Sequence, residues 1–152
     1  MHNILLRIAV PFLVSLLMAT GWVFVTRALY DYNQGFGFVM GLNVFPLLAW
    51  TFGLPAFYLL MMYGFDTARV KNPVKQFAVY AVVWFAVILA AETVGYHMLN
   101  IQNIGTSMYP GLPLCDCLHA PAWMQIGYLL MAPIHLMFTM LTQKFLAVRP
   151  AV

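Results

Sequence analysis

The sequence predicts an all-α integral membrane protein, a bundle of four transmembrane helices. Of the 152 residues, 64% are hydrophobic and only 7% are charged, whereas soluble domains carry roughly 25% charged residues. A membrane-spanning helix needs about 20 mostly apolar residues. Four such stretches occur, at residues 3–28, 37–63, 74–98 and 123–148. Because little chain remains outside them, we expect residues 1–152 to form a single four-helix transmembrane domain.

The distribution of basic residues predicts the orientation of the bundle. Lys and Arg favour the cytoplasmic side of a membrane. With four spans, only Arg27 falls on one side, and the others fall opposite: Arg7, Arg69, Lys71, Lys75, Lys144 and Arg149. Both termini are therefore expected to be cytoplasmic, which leaves a long outward loop between helices three and four. This asymmetry accounts for the net charge of +3 without a nucleic-acid partner, and the compact loops suit a bacterial inner membrane.

The first two apolar stretches are both predicted to be membrane helices. The run from Ile8 to Val25 exceeds the apolar region of a signal peptide, and no small-residue cleavage site follows it, so we expect it to be retained. The second stretch carries small residues at a helical spacing, which lets another helix approach closely. They are Gly37, Gly41, Ala49 and Gly53. This face is expected to pack within the bundle, against another membrane protein, or against a second copy of the chain.

Glu92 is the most informative residue of the third helix. It lies about six residues before the outward end, roughly 9 Å below the interface. An unpaired carboxylate costs a few kcal/mol at such a depth, so Arg27 on the first helix is its expected ion-pair partner. Tyr96 lies four residues further along the same face, with His97 beside it. The pair either locks the two helices together or belongs to an outward pocket, where Glu92, Tyr96 and His97 are candidate catalytic residues.

The fourth helix carries His135 near its middle. A single histidine inside a helix bundle is expected to hydrogen-bond to a neighbouring helix rather than to bind a ligand. His97 lies near the outward boundary instead, so the two histidines match poorly as axial ligands of a haem.

The outward loop holds both cysteines of the chain, within the segment GTSMYPGLPLCDCLHAP. Cys115, Cys117 and His119, with His97 and Met108 nearby, offer thiolate, imidazole and thioether ligands that suit copper(I) or zinc. Their Cys-x-Cys spacing differs from the Cys-x2-Cys of structural zinc sites. It also permits a small, easily reduced disulfide. A third interpretation is a stiff structural lid, which the prolines of the loop favour. All three remain open at this point.

These features predict three alternative functions. The first is a subunit or modulator of a larger membrane complex, of the accessory or immunity type, which acts through helix–helix packing. The second is a metal- or thiol-redox-handling membrane protein that uses the Cys-x-Cys-x-His loop. The third is an enzyme that acts on a lipid or isoprenoid through Glu92. The small size and the lack of a recognisable catalytic motif favour the first over the third.

Overall fold

The computed structural model describes residues 2–29, 31–32 and 37–148. Within these ranges it describes side chains only from residue 6 to residue 146. This part of the chain is mostly helical, and four of its helices are long and apolar enough to cross a membrane, as the sequence predicted. They are α1 (His2–Thr26), α2 (Val44–Thr67), α3 (Pro73–Thr93) and α4 (Ala122–Val148). A short antiparallel hairpin of β1 (Phe38–Val39) and β2 (Leu42–Asn43) precedes α2.

Helix α2 begins at Val44, later than the predicted start at residue 37. The hairpin turn requires positive φ at Met40 (52°) and Gly41 (77°), a conformation that glycine adopts readily. Asn43 then caps the helix, since its side-chain oxygen accepts from the Phe45 amide at 3.0 Å. Gly37 and Gly41 consequently lie outside the helix. The predicted packing face of four small residues is therefore wrong, and only Ala49 and Gly53 share a helical face.

The helices form an antiparallel bundle in which α1 packs against α2 and α4, whereas α3 packs against α4. The Ser15 hydroxyl on α1 donates to the Trp50 carbonyl oxygen on α2 at 2.7 Å. We call the end of the bundle that holds the hairpin and both cysteines the cysteine end. The opposite end, where α1 begins and α4 finishes, is the terminal end.

His135 hydrogen-bonds between helices, which confirms the sequence interpretation. Its side chain is fully buried, and Nε2 donates to the Pro11 carbonyl oxygen on α1 at 2.9 Å. Nearer the terminal end, the side-chain amide of Gln143 on α4 donates to the Leu6 carbonyl oxygen on α1 at 3.4 Å. These contacts hold α1 against α4 along much of their length.

Helix α3 has a defined beginning and an altered last turn. Asn72 accepts hydrogen bonds from the amides of Val74 (3.0 Å) and Lys75 (3.1 Å), and Pro73 occupies the first helical position, which it favours. At its other end α3 continues as a π-helical turn over Val94–Met98. Such turns widen the helix and change the direction of its side chains, often at functional sites.

Candidate functional site

A cavity of about 330 Å³ lies at the cysteine end, between α2, α3 and α4. Its volume falls at the lower end of the range for small-molecule sites, about 300–1,000 Å³. The deep part of the cavity, farther from the cysteine end, is lined by aromatic side chains. The shallow part, nearer the cysteine end, carries polar groups. The polar lining includes Glu92, Tyr96, Asn103, Thr106 and His119. The outward pocket that the sequence suggested around Glu92 and Tyr96 corresponds to this space, whereas His97 is exposed and points elsewhere.

One face of α3 forms a wall of the cavity. Trp84, Ile88 and Glu92 lie four residues apart, so they project from the same side of the helix. Trp84 and Ile88 are buried, and Glu92 is partly buried. All three line the cavity, and Tyr96 continues the wall into the π-helical turn. The helical period therefore places the Glu92 carboxyl group on the same side of α3 as the Trp84 ring, about two turns nearer the cysteine end.

The predicted ion pair between Arg27 and Glu92 is not formed. Arg27 lies in a 3-10 turn (Arg27–Leu29) after α1, and its guanidinium carbon is 4.7 Å from the centroid of the Phe24 ring. The physical reason is the order of the helices, because α1 packs on α2 and α4 rather than on α3. Among the described residues, no Lys, Arg or His side chain forms an ion pair with the Glu92 carboxylate.

Aromatic side chains from three helices form the deep part of the cavity. Trp50 on α2 meets Tyr128 on α4 at a centroid distance of 5.0 Å and Trp84 on α3 at 6.1 Å. The Trp84 indole nitrogen donates to the Tyr128 carbonyl oxygen at 3.0 Å. Because the rings hold one another in tilted and edge-to-face arrangements, they form a preorganised aromatic floor that lies deeper in the bundle than Glu92.

The loop before α4 covers the cavity, which agrees with the lid interpretation. Leu118 and Ala120 are buried, and both line the cavity with His119. The His119 ring stacks on Tyr96 with 4.8 Å between centroids and 20° between planes. His97, at the end of α3, donates through Nε2 to the Cys115 carbonyl oxygen at 2.8 Å. These contacts attach the lid, defined as residues 101–120, to the end of α3.

The two cysteines are joined to each other in a disulfide. A copper or zinc site at Cys115 and Cys117 is therefore excluded in this state, because both thiolates that would bind the metal are consumed. His119 Nδ1 donates instead to the Tyr109 carbonyl oxygen at 2.9 Å, and Met108 is exposed. Within the described ranges, no three His, Cys, Asp or Glu side chains are grouped as metal ligands.

The disulfide is expected to contribute modestly to stability. It closes a ring between residues separated by 2 positions, and the chain-entropy relation gives about 1–2 kcal/mol for so short a loop. Replacing both Cys115 and Cys117 by Ala should lower the free energy of unfolding by about that amount, measured by thermal unfolding in a mild detergent. A reductant should destabilise the original protein similarly and leave the variant unchanged. A loss above about 4 kcal/mol would contradict this small contribution.

Comparison with protein-family models, curated proteins and solved structures found no match to this chain. Three local features of the structure bear on its function: the aromatic floor, the carboxyl group of Glu92 and the lid.

Proposed function

We propose that this protein is a membrane protein that binds a small organic cation, with Glu92 as the counter-ion. The observation that carries the proposal is a carboxyl group in an aromatic cavity to which no described residue supplies a basic partner. A carboxylate without a partner is costly inside a membrane domain. A bound cation supplies the missing charge and removes that cost.

The rest of the cavity also favours a positively charged ligand. The faces of Trp and Tyr rings attract cations by electrostatics, and the attraction is larger where water is excluded. Trp50, Trp84 and Tyr128 provide such rings in the same cavity as Glu92. Among the described residues that line the cavity there is neither Lys nor Arg. An anionic ligand would therefore meet a carboxylate and no Lys or Arg side chain to compensate it.

We infer that the cysteine end faces the periplasm of a bacterial inner membrane. Described basic residues at the terminal end support this orientation through the positive-inside rule. They are Arg7, Arg69, Lys71, Lys75 and Lys144, whereas Arg149 lies outside the described residues. The Cys115–Cys117 disulfide is a second argument, because disulfides persist in oxidising compartments. In this orientation the ligand reaches the site from outside the cytoplasm.

The subunit or modulator function stays a prediction, but it has lost one of its supports. It depended on a helical face of small residues, and Gly37 and Gly41 belong to the hairpin region instead. The remaining small residues of that set, Ala49 and Gly53, line the cavity. They are therefore better explained by space for a ligand than by close contact with a partner helix.

Binding of benzyltrimethylammonium tests the proposal. The protein is reconstituted in lipid nanodiscs, and equilibrium dialysis compares this cation with neopentylbenzene, its uncharged isostere, after subtraction of binding to empty nanodiscs. The protein should prefer the cation. Glu92→Gln should weaken cation binding by at least about tenfold, because a charge–charge contact in a low-dielectric site is lost.

Asp66→Asn is the matched control, since Asp66 is exposed at the terminal end of α2 and its loss should leave cation binding unchanged. Equal binding of the cation by the original protein and by a folded Glu92→Gln variant would reject the proposal. Equal affinity of the original protein for the cation and its uncharged isostere would reject it as well.

A further inference from the structure

The cavity has a side opening between α2 and α3, which we call the slot. It is lined by Ala49 and Gly53 on α2 and by Val87 and Ala91 on α3. All four residues are exposed, and α2 and α3 pack little against each other. Toward the terminal end the gap is closed by large rings, where Phe57 meets Tyr80 at 4.8 Å between centroids.

The slot faces hydrocarbon if the helices span a membrane, and residues of the lid line the other side of the cavity. Around the slot α2 exposes large apolar side chains, Leu48 (49%) and Phe52 (56%). On the side of the lid, in contrast, Leu118 and Ala120 are buried, and the His119 side chain is only 10% exposed. The slot therefore gives the cavity a lateral route that is bordered by apolar side chains.

The depth of the slot relative to Glu92 matches the orientation of an amphiphile in a bilayer. Val87 precedes Glu92 by five residues, which corresponds to about 7.5 Å along the helix, deeper in the membrane. A ligand whose cationic group lies at Glu92 and whose chain leaves past Val87 would have its head nearer the interface. Lipids of the leaflet at the cysteine end have the same orientation.

We propose that the ligand is a single-chain cationic amphiphile that enters from this leaflet through the slot. Its ammonium group binds at Glu92 in the aromatic cavity, and its alkyl chain lies in the slot between Ala49 and Ala91. A phosphate in the head group is disfavoured, since no Lys or Arg is among the described cavity-lining residues. This inference rests on the proposed cation binding and adds the class of ligand and its route.

The test compares two cations in nanodiscs, benzyltrimethylammonium, which has no chain, and dodecyltrimethylammonium. The variant Ala49→Leu with Ala91→Leu narrows the slot. It should weaken binding of the dodecyl compound about tenfold more than binding of the benzyl compound, because only the dodecyl chain has to lie between the two added side chains. The matched control is Ala56→Leu with Ala86→Leu, which makes the same changes at exposed positions that do not line the cavity.

Unchanged binding of both cations by the slot variant would overturn the slot proposal while cation binding stands. Failure of benzyltrimethylammonium to bind the original protein would instead reject the proposed function, whereas failure of dodecyltrimethylammonium alone would overturn the amphiphile proposal. Because loss of both cations could also follow from damage to the fold, a second measurement uses a dodecyltrimethylammonium analogue with a diazirine at the chain end. Photolabelling beside the slot on α2 or α3 is expected, and labelling confined to the lid would overturn the lateral route.

Discussion

Gly127→Ala is expected to destabilise the protein by about 1–3 kcal/mol, the usual effect of overpacking a filled interior. A methyl group at Gly127 on α4 would overlap the six-membered ring of Trp22 on α1. Trp22 is itself fixed by edge-to-face contacts with Trp123 at 6.1 Å and Tyr128 at 5.8 Å. The ring is therefore already packed against two aromatic neighbours on α4. Thermal unfolding in a mild detergent, followed by tryptophan fluorescence, measures the loss.

Gly21→Ala is the matched control for this change. Gly21 neighbours Trp22 on α1 and is exposed, and nothing lies within 4 Å of an added Cβ. Because alanine has a higher helix propensity than glycine by about 1 kcal/mol, this variant should be as stable as the original protein or more stable. The two substitutions add the same group and have opposite expected signs. A neutral Gly127→Ala would show that α1 and α4 are less tightly packed than the structure indicates.

The number and length of the long helices could be predicted because the bilayer requires about 20 apolar residues per span. The start of α2 could not be predicted from the same signal. Phe38, Val39 and Leu42 are apolar, so the hairpin reads as a continuation of the hydrophobic stretch. The local signals were Gly41, which adopts positive φ, and Asn43, a preferred helix-capping residue. Hydrophobicity alone hides such signals in a chain as apolar as this one.

Part of the candidate site also followed from spacing along one helix. Glu92 and Tyr96 are four residues apart, and both line the cavity. The partner assigned to Glu92 was wrong because sequence does not reveal which helices are neighbours in the bundle. Arg27 is near the correct end of the bundle, but α1 packs against α2 and α4. The chemistry of Cys115 and Cys117 was also undetermined, because thiols at this spacing suit either a disulfide or a soft metal.

Gly105→Ala is expected to displace the lid and weaken binding of benzyltrimethylammonium by about tenfold, with a loss of stability of about 1–3 kcal/mol. Gly105 is buried, and an added Cβ would overlap the carbonyl oxygen of His119 and lie 2.9 Å from the Asn103 side-chain oxygen. The first of these atoms is backbone, so no side-chain rotation can relieve the overlap. The backbone of Gly105 or of His119 must therefore shift, and His119 carries the ring that stacks on Tyr96 in the cavity.

Gly37→Ala is the control, since nothing lies within 4 Å of an added Cβ there, and it should leave cation binding unchanged. Comparison with the variant that lacks both cysteines then separates two sources of rigidity in the lid. If packing around Gly105 and His119 holds the lid, Gly105→Ala will weaken binding more than removal of Cys115 and Cys117. The reverse order would mean that the disulfide fixes His119 over the cavity, and in that case a reductant should release the cation from the original protein.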